Sequence, residues 1–134
     1  MSMLDFNRAI YAFWSNLNVM GTTLPAYLQG EVPDDAKLPY ITFDVVKTEA
    51  FGQTPLSATA WFKKANNDAK LAERSAFFDA AARSIPEAGA KVNLPNGFCM
   101  LYRSSGDFLS PMPDETDDMV IGCRVGYEVT IYDM

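Results

Sequence analysis

The stretch from Val120 to Tyr132 reads VIGCRVGYEVTIY and alternates without a break. Ile121, Cys123, Val125, Tyr127, Val129 and Ile131 fall on one side of an extended chain. Gly122, Arg124, Gly126, Glu128, Thr130 and Tyr132 fall on the other. Strict period-2 alternation marks a strand with one face in a core and the other toward water. At about 3.3 Å per residue the strand runs roughly 40 Å. A compact domain of 134 residues is only about 35–40 Å across. The strand is therefore expected to cross the molecule, with the rest of the chain, a single domain over residues 1–134, supplying its neighbours and cover.

That cover is sought in helices. Phe6, Ala9, Ile10, Phe13, Trp14 and Leu17 recur at three- and four-residue steps and make one apolar helix face. Ser2 and Asp5 give a weak capping box, and Gly21 ends the pattern. Phe13 and Trp14 fit that face better than a ligand-stacking pair. A second helix follows Asn66-Asn67-Asp68, with Leu71, Ser75, Phe78, Ala82 and Ile85 as its inward face. Its alanines favour helix, Arg83 suits the last turn, and Pro86 stops it at Ile85.

The remaining strands follow from local pattern. Ala26–Leu28 is a short strand. Tyr40–Phe51 is a longer one entered through Pro39, with Ile41, Phe43 and Val45 on one face. Gly52–Pro55 turns the chain into a returning strand, Leu56–Phe62. Glu87–Asn96 reads as a loop, and Phe98–Tyr102 as a strand buried on both faces. Ser104–Asp107 is a turn, Phe108–Ser110 pairs back, and Met112–Met119 is a proline-containing acidic loop. The fold expected is α+β, with a mainly antiparallel or mixed sheet of about four to six strands and two helices on one face. Its core should contain Phe6, Ile10, Phe13, Ile41, Phe43, Leu71, Phe78, Ile121, Cys123, Val125 and Val129.

Chemistry is mostly excluded. The chain has no histidine, which removes the usual general base and the commonest metal ligand. There is no CxxC pair, no phosphate-binding glycine loop and no GxSxG elbow. Cys99 and Cys123 lie in apolar strands and read as buried free thiols; a bridge would need neighbouring strands in register. Gly122 and Gly126 mark a bulge or a close backbone approach. Asp114, Glu115, Asp117 and Asp118 form the one dense polar cluster. It lacks the calcium-loop pattern and its glycine, and reads first as a solvated loop, then as an acidic contact to a neighbouring subunit, and last as a metal site. No catalytic, cofactor-binding or metal-binding residue is assigned.

The net charge of −6 argues against nucleic acid as the main partner. No apolar run approaches the ~20 residues of a membrane span. The N-terminus lacks a signal-peptide pattern, so a cytoplasmic protein is expected.

The order of a leading helix, a Pro-Asp loop, a strand entered through LPYITF, a returning strand with Ala-Trp-Phe, an Ala-rich helix and a closing strand ending YEVTIY resembles a known family. It is that of the tail-completion proteins of tailed bacteriophages and prophages, which include tail terminators, minor tail proteins and head–tail joining proteins. VPDDAKLPYITFDV, from Val32 to Val45, is its most telling segment. The likeness covers Phe6 to Tyr132 and implies a structural virion protein without catalytic activity. The partners it implies are copies of itself in a ring, tail-tube proteins and head–neck proteins. The location implied is the host bacterial cytoplasm during assembly and then the virion tail. Contacts between copies are expected from the hairpin beyond Phe43 (Asp44, Lys47, Thr48 and Glu49), from the Gly52–Pro55 tip and from Met112–Met119. Lys47, Lys63 and Lys64 would meet a neighbour's acidic loop. Two readings of other classes stand beside this one. One is a cytoplasmic protein-binding adaptor, and the other a small hydrolase or lyase using carboxylates or Tyr, which would need a pocket and shifted titrations.

Overall fold

A computed structural model describes residues 3–44, 54–64, 68–113 and 119–133. Along the chain lie helix α1 (Met3–Ser15), strands β1 (Ala26–Leu28), β2 (Tyr40–Phe43) and β3 (Thr54–Lys63), helix α2 (Asp68–Ser84), and strands β4 (Ala90–Leu94), β5 (Gly97–Arg103), β6 (Leu109–Pro113) and β7 (Val120–Asp133). They form an α+β fold with a seven-stranded sheet ordered β1-β2-β3-β7-β5-β4. Strand β6 lies off that path on β7, and only the β1–β2 pair is parallel.

The alternating strand β7 is the centre. One edge pairs with β3 from Val120 to Val129. The other edge is divided between β6, opposite Ile121–Val125, and β5, opposite Tyr127–Asp133. Strands β5 and β6 thus behave as one long partner interrupted by an excursion. The Ser104 N–H donates to the Gly126 carbonyl (3.1 Å), and the Gly126 N–H donates to the Phe108 carbonyl (2.8 Å). A Cβ at residue 126 would lie 2.8 Å from the Asp107 carbonyl oxygen, so this crossing needs glycine. This is the close backbone approach that the glycine spacing suggested.

Register puts one apolar face together. Ile41 of β2, Ala60 of β3 and Cys123 of β7 lie in line, as do Phe43, Ala58 and Val125. Leu101 of β5 joins Val129, and Cys99 joins Ile131. Both helices cover this face. Helix α1 contributes Phe6, Ile10 and Trp14, and α2 contributes Phe77, Ala80 and Ala81, all buried. Tyr127 lies fully buried among them, and the Trp14 indole N–H donates to its hydroxyl at 3.2 Å. That bond satisfies two polar tips that would otherwise be buried at a cost. Helix α1 touches β4 at one end of the strand path and β1 and β2 at the other, so the sheet curls around it.

Several sequence expectations are corrected. Glu87–Asn96 is not a loop, because Ala90–Leu94 forms β4 and turns at Pro95-Asn96 into β5. Thr54 and Pro55 belong to β3 and not to a turn, and β6 already includes Met112 and Pro113. Strand β5 is buried on one face only, through Cys99 and Leu101. Leu71 is exposed (56%) and not core. The inward face of α2 runs through Phe77, Ala80, Ala81 and, just past its end, Ile85, about a quarter of a turn from the Leu71–Phe78 line. Phe13, Phe78 and Ile121 pack against the core while half-buried. Residues 45–51 of the expected β2 extension, Ser2 of the capping box and Asn66-Asn67 lie outside the described residues.

Candidate interaction surface

The face of the sheet away from the helices is built from the other half of each alternation. Tyr27 and Tyr40 meet edge to face at 5.7 Å. The Trp61 indole N–H donates to the Thr42 hydroxyl at 3.0 Å. The Trp61 ring also lies over Gly122, its partner in β7, where a Cβ would come within 2.9 Å of the indole. At the opposite side of the sheet Phe98 and Tyr132 stack at 4.9 Å, with the Lys91 ammonium 4.6 Å from the Phe98 ring. Aromatic and aliphatic stems cover this face and leave polar tips to water, which is how a sheet face without a helix stays wetted. Trp61 and Tyr132 were legible as outward residues from alternation; the pairing of rings across strands was not.

The strand edges that carry no further strand among the described residues differ in chemistry. Strand β1 is three residues long. Strand β6, LSPMP, carries Pro111 and Pro113. Proline offers no amide to an incoming strand and guards an edge. Strand β4, AKVNL, has five residues and no proline. Beside it lies a groove of about 630 Å3, walled by Ala9, Ala12 and Phe13 of α1 and by Asn16 just past its end.

One missed residue secures this region. Arg103, on the helix side of β5, donates from Nε to the Ile85 carbonyl (2.8 Å) and from Nη2 to the Ala82 carbonyl (3.1 Å). Its guanidinium also lies 4.5 Å from the Phe108 ring. A cation on the last carbonyls of a helix satisfies acceptors that the helix itself leaves open. Arg83 also sits in the last turn of α2, as the sequence suggested, with its side chain exposed. Only register reveals that a residue beyond the strand's apolar run reaches the helix.

The other sequence candidates are dispersed. Asp44 accepts from the Ser57 hydroxyl at 3.0 Å and closes the β2–β3 pairing. Lys63 and Lys64 are exposed at the end of β3, and the Lys64 N–H donates to the Met119 carbonyl at 2.7 Å. The acidic residues between Pro113 and Met119, and also Lys47, Thr48, Glu49, Gly52 and Gln53, lie outside the described residues.

Among the described residues no group of three or more Cys, Asp or Glu comes together as a metal site. Cys99 and Cys123 are free and buried. Cys99 faces Ile131 across β5–β7 and Cys123 faces Ala60 across β3–β7, at opposite ends of β7 and out of reach of a bridge. Burial pushes both thiols up to about 11, and desolvation also raises the Tyr127 hydroxyl. These shifts favour the neutral, unreactive forms. No helix is long and apolar enough to cross a membrane among the described residues. Comparison with protein-family models and with curated proteins finds no match.

Proposed function

We propose that this chain is a structural, non-catalytic subunit of a tailed bacteriophage particle. It works at the end of the tail as a tail-terminator, tail-completion or neck protein, joining copies of itself in a ring and meeting tail-tube and head–neck proteins. The observation that carries this reading is the Val32–Val45 segment, PDDAKLPYITF at its heart, leading into β2 of a two-helix, curled-sheet domain. Assembly takes place in the host cytoplasm, and the protein ends in the virion tail.

A role built on surfaces agrees with where the polar chemistry lies. The shifted titrations belong to buried groups in the core, whereas the exposed features are sheet edges and an aromatic face. A heterologous contact between such surfaces closes into a ring when its rotation closes. Lys63-Lys64 and Met119, which follows the acidic residues, lie at one end of the molecule. In the proposed ring these edges and faces meet between copies, and Lys63 and Lys64 face the acidic residues of a neighbour.

The test is deletion of the gene from the phage or prophage genome that carries it, followed by induction and electron microscopy. Overlong tails, or tails unjoined to heads, are expected. Normal tails on filled heads overturn the reading.

A further inference from the structure

We infer that the free edge of β4 and the adjoining groove accept an extended, acidic segment of another polypeptide, which adds to the sheet as one more strand. This goes beyond the tail reading and does not depend on it.

The first observation is the course of the groove. Lys91, Val92 and Asn93 all line it. Successive side chains of a strand point to opposite faces. Three consecutive residues share one groove only when it runs along the strand's edge, where the main chain itself is exposed. Strands β4 and β5 are joined by a two-residue turn that closes on Leu94 and Gly97. In such a hairpin the closing pair exchanges both main-chain bonds and bonding then alternates. The amides and carbonyls of Lys91 and Asn93 therefore face away from β5, toward the groove.

The second observation is the opposite wall. Ala9, Ala12 and Phe13 of α1, with Asn16 just past its end, form one stripe at three- and four-residue steps. Two alanines in that stripe leave room between helix and strand. A strand laid along β4 can bond to the outward main chain and place every second side chain against Ala9, Ala12 and Phe13, the pattern of β-augmentation.

The third observation selects the occupant. The chain has 17 acidic and 11 basic residues, yet Lys91 is the one charged residue among those lining the groove. Its ammonium is held over the Phe98 ring, at the strand's outer face. A lysine in an edge strand opposes pairing with a second copy, because two such edges bring like charges together. It favours a strand that alternates small apolar residues with carboxylates.

The experiment uses the full chain and two labelled peptides of about seven residues, a length that spans a typical strand. One peptide alternates valine with glutamate; the other alternates valine with lysine. The glutamate peptide is expected to bind with Kd at or below about 1 mM. Amide shifts should be confined to Lys91–Asn93 and the Ala9–Asn16 stripe. Asn93→Pro removes an outward amide without touching the β4–β5 bonds. It should keep the melting temperature and weaken binding about tenfold or more. Lys91→Glu, an exposed change, should reverse the preference between the peptides. Absence of binding, equal binding of both peptides, or binding unchanged in both variants overturns the proposal. So does self-association of the free chain that Asn93→Pro abolishes, since the edge would then belong to a second copy.

Discussion

The two helices cover the same sheet face by different means. Helix α1 has 13 residues and sends large side chains inward: Phe6, Ile10 and Trp14 are each fully buried. Helix α2 has 17 residues, yet among its described side chains Phe77 is the one large one buried fully, beside Ala80 and Ala81. Ile85, just past its end, completes that contact. The longer helix therefore buries less bulk per turn and lies close to β3 and β7 through small residues. Arg103, reaching from β5 to its last carbonyls, supplies part of what packing does not. Helix length is thus a poor guide to which helix holds the fold together; the volume carried inward decides.

The largest effect should come from Trp14→Ala. It leaves a cavity and also strips the donor from the buried Tyr127 hydroxyl, so the loss should reach or exceed about 3–5 kcal/mol by denaturant titration. A stable protein within about 1 kcal/mol of wild type would break the contrast. Phe77→Ala should cost about 3 kcal/mol, at the lower end for a buried aromatic, because alanine neighbours and the adjacent Phe78 can close part of the space.

Arg103→Gln should cost about 1–2 kcal/mol and act on α2 and Phe108 without touching α1. The two thiols report on the helices separately. Cys99 faces Val92 in β4, against which α1 packs. Cys123 faces Ala60 in β3 and lies close enough to Arg74 of α2 to feel its charge. Labelling by a thiol reagent should be slow at both positions, faster at Cys123, and accelerated by Arg103→Gln at Cys123 only. Acceleration at both sites would mean that the helices open together.

Alkaline titration gives a smaller effect. Both thiols sit at about 11 in the fold against an ordinary 9.0. The fold favours the protonated form, so this stability is whole below pH 9.0 and is lost as pH rises through about 11. A Cys99→Ala/Cys123→Ala variant should show a shallower decline of melting temperature over that range. The smallest effect belongs to Leu71→Gln, which should stay within about 0.5 kcal/mol because the side chain is largely in water.

What the sequence made legible follows the same contrast. The face of α1 and the alternation of β3 and β7 could be read because large apolar residues recur at a single period. Helix α2 blurs that signal: with alanine at so many positions, Phe77 and Phe78 compete as neighbours, and only the sheet beneath selects Phe77. Leu71, the largest aliphatic residue near the helix start, was misplaced for the same reason. Strand β4 was missed because Ala90, Val92 and Leu94 alternate with Lys91 and Asn93 over too short a run to stand out from a loop. The groove beside it depends on α1 and β4, which are far apart in sequence. No local pattern could have announced it.

The position of β7 in the chain also sets a timetable. It follows every strand with which it pairs. During synthesis β2 and β3 can meet as a hairpin, and so can β4 and β5, but these pieces share no ladder until β7 emerges. Trp61 waits for Gly122, its partner 61 positions later. Such distant pairings close slowly, because chain entropy is lost before the contacts repay it. Until then the growing chain carries two half-sheets with no ladder between them, and the sheet is completed when its central strand threads between them.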